Sequence, residues 1–126
     1  MTRKAIWCVA VTGLLLGLLH VGLSWPIYKR LSLEALWFAG SGLAVVCCAL
    51  MNLVALRNRT LSGRWMVVLA DLLVACFFAA AWPLLQGPQV AAGFAVFSAL
   101  AVYFALEPVW RKPAVAAPAA AGAPPG

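Results

Sequence analysis

Four apolar runs constrain this chain more than any other feature. They cover residues 5–25, 33–56, 65–85 and 90–106. A bilayer core of about 30 Å needs about 20 helical residues, with a usual range of about 17–25. The first three runs meet that length, and the fourth sits at its short end. Alternating polar positions, the mark of barrel strands, are too few in any of them. The spacing therefore predicts an all-α, polytopic membrane protein. Its expected fold is a four-transmembrane-helix up-down bundle in residues 1–110, followed by a disordered Ala/Pro-rich cytoplasmic tail over 111–126.

Composition agrees. Of 126 residues, 66% are hydrophobic and 10% charged. A soluble domain carries roughly a quarter charged residues, so this chain lacks the polar surface to cover itself in water. The net charge of +6 does not point to nucleic acid. The nine basic residues fall in pairs and a trio between the runs, as membrane-protein loops do.

Short polar links favour antiparallel neighbours. Pro26 follows the first run, Ser32 is placed to N-cap the second, a polar turn spans 57–64, and Gly87-Pro88 splits the third run from the fourth. Trp7, Trp25, Trp37, Trp65, Trp82 and Trp110 all lie near a predicted boundary, where amphipathic rings prefer the headgroups. Arg3, Lys4, Arg57, Arg59, Arg64, Arg111 and Lys112 fall on one side, against Lys29 and Arg30 on the other. The positive-inside rule then puts both termini in the cytoplasm, and the protein in the inner membrane. The first run is too long for the apolar core of a signal peptide, and no Ala-x-Ala site precedes Pro26. It reads as an uncleaved span.

An offset of 57 residues superposes the two halves. Trp25-Pro26-Ile27 falls on Trp82-Pro83-Leu84, and Ser41-Gly42-Leu43-Ala44-Val45 on Ser98-Ala99-Leu100-Ala101-Val102. This suggests two repeated hairpins. Small residues at four-residue spacing mark candidate packing faces: Gly13 and Gly17, Gly40 and Ala44, and Ala91, Ala95 and Ala99.

Within VVLADLLVACFF stands one carboxylate, Asp71. It lies six residues past Trp65, about 9 Å into the span, and Asn52 lies five before Arg57, about 7 Å deep from the same side. The two side chains fall at one level on adjacent helices. Arg64, seven residues before Asp71, is placed to snorkel toward it. Asp71, Asn52 and Arg64 are thus a candidate intramembrane polar site. An interhelical hydrogen bond, worth about 0.6 kcal/mol, is preferred over cation binding or proton uptake. A second candidate site, near the outer face, joins His20, Ser41 and Glu34. A histidine near a carboxylate titrates in the physiological range, but a satisfied polar contact is the preferred reading. Cys8, Cys47, Cys48 and Cys76 lack zinc or thioredoxin spacing. The last three read as small apolar residues in mid-membrane. Acylation at Cys8 or a disulfide is disfavoured.

The segment LEALWFAGSGLAVV, followed by Asn52, resembles stretches of uncharacterised small bacterial membrane proteins. In size and topology the chain is similar to the DoxX-like group and to small multidrug resistance transporters. The transporters couple through a carboxylate in span one, whereas the intramembrane carboxylate here is in span three.

No Ser/His/Asp set, carboxylate pair, metal cluster or phosphate-binding glycine loop occurs. The expectation is a non-enzyme without metal or cofactor. Its partners are the bilayer and either a second copy or another membrane protein. The first function class is a non-enzymatic accessory or structural membrane protein. The second is a small oligomeric proton- or cation-linked transporter using Asp71. The third is a quinone- or redox-complex-associated subunit, with His20 and the outer loop at the headgroups.

Overall fold

A computed structural model describes residues 2–58 and 60–106. Arg59, Trp110, Arg111, Lys112 and the Ala/Pro-rich tail lie outside the described residues, as do the expectations that rest on them. The described chain is all-helical: α1 Arg3–Tyr28, α2 Leu33–Asn58, α3 Leu61–Ala81 and α4 Pro88–Leu106. Each helix is long and apolar enough to cross a membrane. At about 1.5 Å per residue the shortest extends about 28 Å.

Local chemistry sets the ends. The hydroxyls of Thr2, Ser32 and Thr60 accept from the backbone N–H groups of Ala5, Ala35 and Gly63, so α1, α2 and α3 each start with a side-chain cap. Pro88 opens α4, where a missing N–H costs nothing. Three boundaries differ from the sequence expectation by three residues or more. α3 begins at Leu61, four residues before the expected start, because the Thr60 hydroxyl caps it inside the expected polar turn over 57–64. α1 runs through Pro26 to Tyr28 and closes at Lys29, whose φ is 54° and whose N–H donates to Trp25 O at 2.8 Å. The proline falls in the final turn, with little helix beyond it to disrupt. α3 ends at Ala81, four residues before the expected limit. Pro83 has no N–H, and the Trp82 N–H is shared between Phe78 O and Ala79 O, which tightens the last turn.

The helices pair as hairpins. α1 packs mainly on α2 and α3 mainly on α4, and the hairpins meet over narrower α1–α4 and α2–α3 contacts. Both hairpins are antiparallel. Gly17 lies beside Val46 while Gly42 lies beside Val21, and Phe78 covers Gly93 while Arg64 reaches Ala105. Ile6, Phe97, Leu100 and Phe104 fill the interior.

Of the small-residue faces, Gly13 and Gly17 pack inside the bundle. Gly13 meets Ala49 of α2 and Val96 and Phe97 of α4. The other two small-residue faces do not pack within the described bundle. On α2 the packed glycine is Gly42, while Gly40 and Ala44 are exposed. On α4 the buried face is Val90, Gly93, Phe97, Leu100 and Phe104, and Ala91 and Ala95 point outward.

An arginine closes the open end of each hairpin. Arg3 donates to Leu56 O at 3.0 Å, and Arg64 donates to Ala105 O. The Leu56 carbonyl lies in the last turn of α2, where no intrahelical N–H reaches it, and a cation there also favours the helix dipole.

Candidate functional site

Cys48 and Asn52 lie four residues apart, on one face of α2. Opposite them α3 presents Asp71. Asn52 and Asp71 are both 0% exposed. The Asn52 Nδ2 group donates to Asp71 Oδ1 at 2.6 Å and to Cys48 O at 2.9 Å. The Cys48 thiol donates to the same Oδ1 at 3.1 Å. Both neighbours of Asn52 Nδ2 are acceptors, which assigns the orientation of the amide. Two buried oxygens, Asn52 Oδ1 and Asp71 Oδ2, have no hydrogen-bond partner.

Arg64 stands apart from this cluster. Its guanidinium donates to Ala105 O and lies 5.1 Å from the Trp65 ring centroid. The cause is directional. Helical side chains slant toward the N-terminus, which carries Arg64 away from Asp71 and toward the Ala105 carbonyl of α4. Among the described residues, the polar contacts of Asp71 are with Asn52 and Cys48, not with a cation.

Cys48 is the member that sequence reasoning missed. A thiol amid apolar residues reads as a small hydrophobe. Its signal was the four-residue spacing to Asn52, which places both on the face that meets Asp71. Cys8, Cys47 and Cys76 are exposed, and all four cysteines are free thiols.

Toward the other end, His20 Nε2 lies 3.2 Å from Ser41 Oγ, and Ser41 Oγ donates to Phe38 O at 2.8 Å. The hydroxyl has one proton, which it gives to Phe38. It therefore accepts from His20, so Nε2 bears hydrogen and a neutral ring keeps its lone pair on Nδ1. The ring stacks on Phe38 with centroids 3.8 Å apart. Glu34, expected at this site, is exposed. Its carboxylate engages its own backbone N–H and the Ser32 hydroxyl. At the start of α2 those unpaired donors are its nearest partners.

Phe78, Ala79, Trp82, Ala91 and Phe94 line an open apolar groove of about 380 Å³ on α3 and α4. Among the described residues no group of three or more His, Cys, Asp or Glu converges. The chemistry offered here is hydrogen bonding and proton exchange.

Comparison with protein-family models, with curated proteins and with solved structures finds no match to this chain.

Proposed function

We propose that the chain is a multi-pass inner-membrane protein with cytoplasmic termini, acting as a non-enzymatic accessory or structural component. One observation supports this most: the polarity of the bundle is inverted. Asp71 and Asn52 are enclosed, while Leu15, Leu19, Leu43, Leu69 and Leu73 are each more than half exposed. Such an exterior suits lipid and not water. Arg3, Lys4, Arg57 and Arg64 gather at one end and Lys29 and Arg30 at the other, which supports a cytoplasmic location for the first end. In this reading Asp71, Asn52 and Cys48 form a tie between hairpins. The exposed Gly40 and Ala44 face of α2 is open to a second copy or another membrane helix.

Alkaline extraction and terminal reporter fusions test the placement. The protein stays with the membrane, and a C-terminal fluorescent protein folds while C-terminal alkaline phosphatase is inactive. Extraction into the soluble fraction, or an active C-terminal phosphatase, overturns it.

A second reading, a proton- or cation-linked transporter, is favoured by the unpartnered oxygens of Asp71 and Asn52. It requires that Asp71→Asn retain the fold and lose a proton-coupled flux in vesicles.

A further inference from the structure

We infer that the Asp71–Asn52–Cys48 cluster is a proton-binding site, with the proton on Asp71 Oδ2 and Asn52 Oδ1 as its acceptor. The inference rests on the membrane reading above and names the ligand of the same cluster. Its ground is the hydrogen-bond inventory. Every donor in the cluster is already committed: Asn52 Nδ2 to Asp71 Oδ1 and Cys48 O, and the Cys48 thiol to Asp71 Oδ1. The two atoms left over are both acceptors, and both belong to side chains with 0% exposure. Acceptors do not satisfy one another. One added proton supplies the missing donor and satisfies both atoms at once. An amide and a carboxylic acid are complementary for this purpose, each offering one donor and one acceptor along a planar edge.

The charge inventory agrees. An ionised carboxylate inside an apolar bundle requires a paired cation. Arg64 on the same helix is bound to Ala105 O, and Arg3 on α1 to Leu56 O. Lys4 of α1 and Arg57 and Cys47 of α2 are exposed. The titratable group that α2 turns toward Asp71 is the Cys48 thiol, which donates a hydrogen bond and supplies no charge. Within α4 the titratable side chain is the Tyr103 phenol. In the binding step a carboxylate and one proton give a carboxylic acid. One O–H bond forms on Oδ2, and no other bond changes.

Asp71 is the single aspartate of the chain. Carboxyl-labelled ¹³C aspartate therefore reports this group in unaltered protein, which removes the risk that an Asp71 variant fails to fold. The measurement is made in nanodiscs of phosphatidylethanolamine and phosphatidylglycerol, with pH titration. The expected result is the resonance of a protonated acid at neutral pH, converting to that of a carboxylate as the pH is raised. Asn52→Leu moves the midpoint by about one pH unit, a tenfold change in proton affinity. A carboxylate resonance at neutral pH overturns the inference. So does conversion on adding sodium at fixed pH, which reassigns the site to a metal cation. A midpoint unmoved by Asn52→Leu overturns the role of Asn52. The membrane reading fails separately, by alkaline extraction of the same preparation.

Discussion

Asn52 Nδ2 stands 2.6 Å from Asp71 Oδ1, and this contact joins two helices from different hairpins. α2 and α3 meet over a small area compared with the pairing inside each hairpin. A polar contact there has more influence on how the hairpins sit together than its energy alone suggests. Interhelical hydrogen bonds in membranes average about 0.6 kcal/mol and reach about 1.7. Leaving a buried polar group without its partner costs about 1–3 kcal/mol.

Those magnitudes order three variants. Asp71→Asn keeps an amide oxygen for Asn52 and stays within about 0.5 kcal/mol of wild type. Asp71→Leu removes the acceptor for both Asn52 and Cys48 and destabilises by about 1 kcal/mol. Asn52→Leu leaves Asp71 with the Cys48 thiol alone and destabilises by about 1–3 kcal/mol. Thermal unfolding of all three in one detergent checks the order. A neutral Asp71→Leu shows that the carboxyl is dispensable for the fold.

The glycines make a steep contrast. A Cβ on Gly17 would sit 2.9 Å from the Val46 backbone nitrogen, and one on Gly42 would sit 3.0 Å from that of Val21. Backbone atoms do not swing aside, so Gly17→Ala and Gly42→Ala each cost about 1–3 kcal/mol. Gly40 has no neighbour within 4 Å of its Cβ position, and Gly40→Ala stays within about 0.5 kcal/mol. Melting temperature in one detergent separates the two classes, provided the protein is monomeric. A Gly40 effect that appears only at high protein concentration identifies that face as a contact between copies.

Arg64→Ala leaves the Ala105 carbonyl without its donor and costs about 1 kcal/mol. Arg64→Lys restores part of it, since an ammonium still donates to a carbonyl but lacks the planar fork. Neither variant changes the Asp71 carboxyl resonance at neutral pH. A change in that resonance shows that Arg64 acts on Asp71 after all.

Thiol labelling distinguishes the cysteines. Cys48 is buried, and its hydrogen is engaged by Asp71. Cys8 is exposed near the start of α1. Single-cysteine proteins retaining Cys8 or Cys48 are exposed to a small maleimide in detergent. Cys8 labels readily, and Cys48 labels only after denaturation. Equal rates contradict the burial of Cys48.

The helices were legible in the sequence because each signal is local. Run length, the hydroxyl cap at Ser32 and the Gly87-Pro88 break all act within a few residues, whereas the Thr60 cap, which starts α3 four residues early, was taken for part of a turn. The Asn52–Asp71 meeting was also legible, since depth along two adjacent antiparallel helices is simple counting. Cys48 was missed because its role depends on which face of α2 meets α3, a property of packing and not of hydropathy. Arg64 was misplaced because depth was considered and side-chain slant was not. Glu34 was grouped with His20 by nearness to the outer face, although the donors at its own helix start lie closer. Which of the small-residue faces pack inside the bundle was not legible for a related reason. In a chain this rich in glycine and alanine, four-residue spacing recurs on exposed and buried faces alike, and only contacts tell them apart.

The narrow joint between hairpins also bears on how the molecule assembles as it is made. α1 and α2 emerge first, and in the finished bundle Arg3 and Leu56 join them at one end while the Asn52 amide faces the side that α3 fills. When α3 and α4 arrive, an apolar surface alone would accept them at several heights, because aliphatic side chains slide past one another at little cost. A slip of one turn, about 5.4 Å, would set Asp71 against aliphatic neighbours and leave the Asn52 amide short of an acceptor. The polar contact therefore acts as a key for register. A mismatched height forfeits this contact, so the pairing of Asn52 with Asp71 discriminates between registers even though it adds little to the stability of the finished bundle.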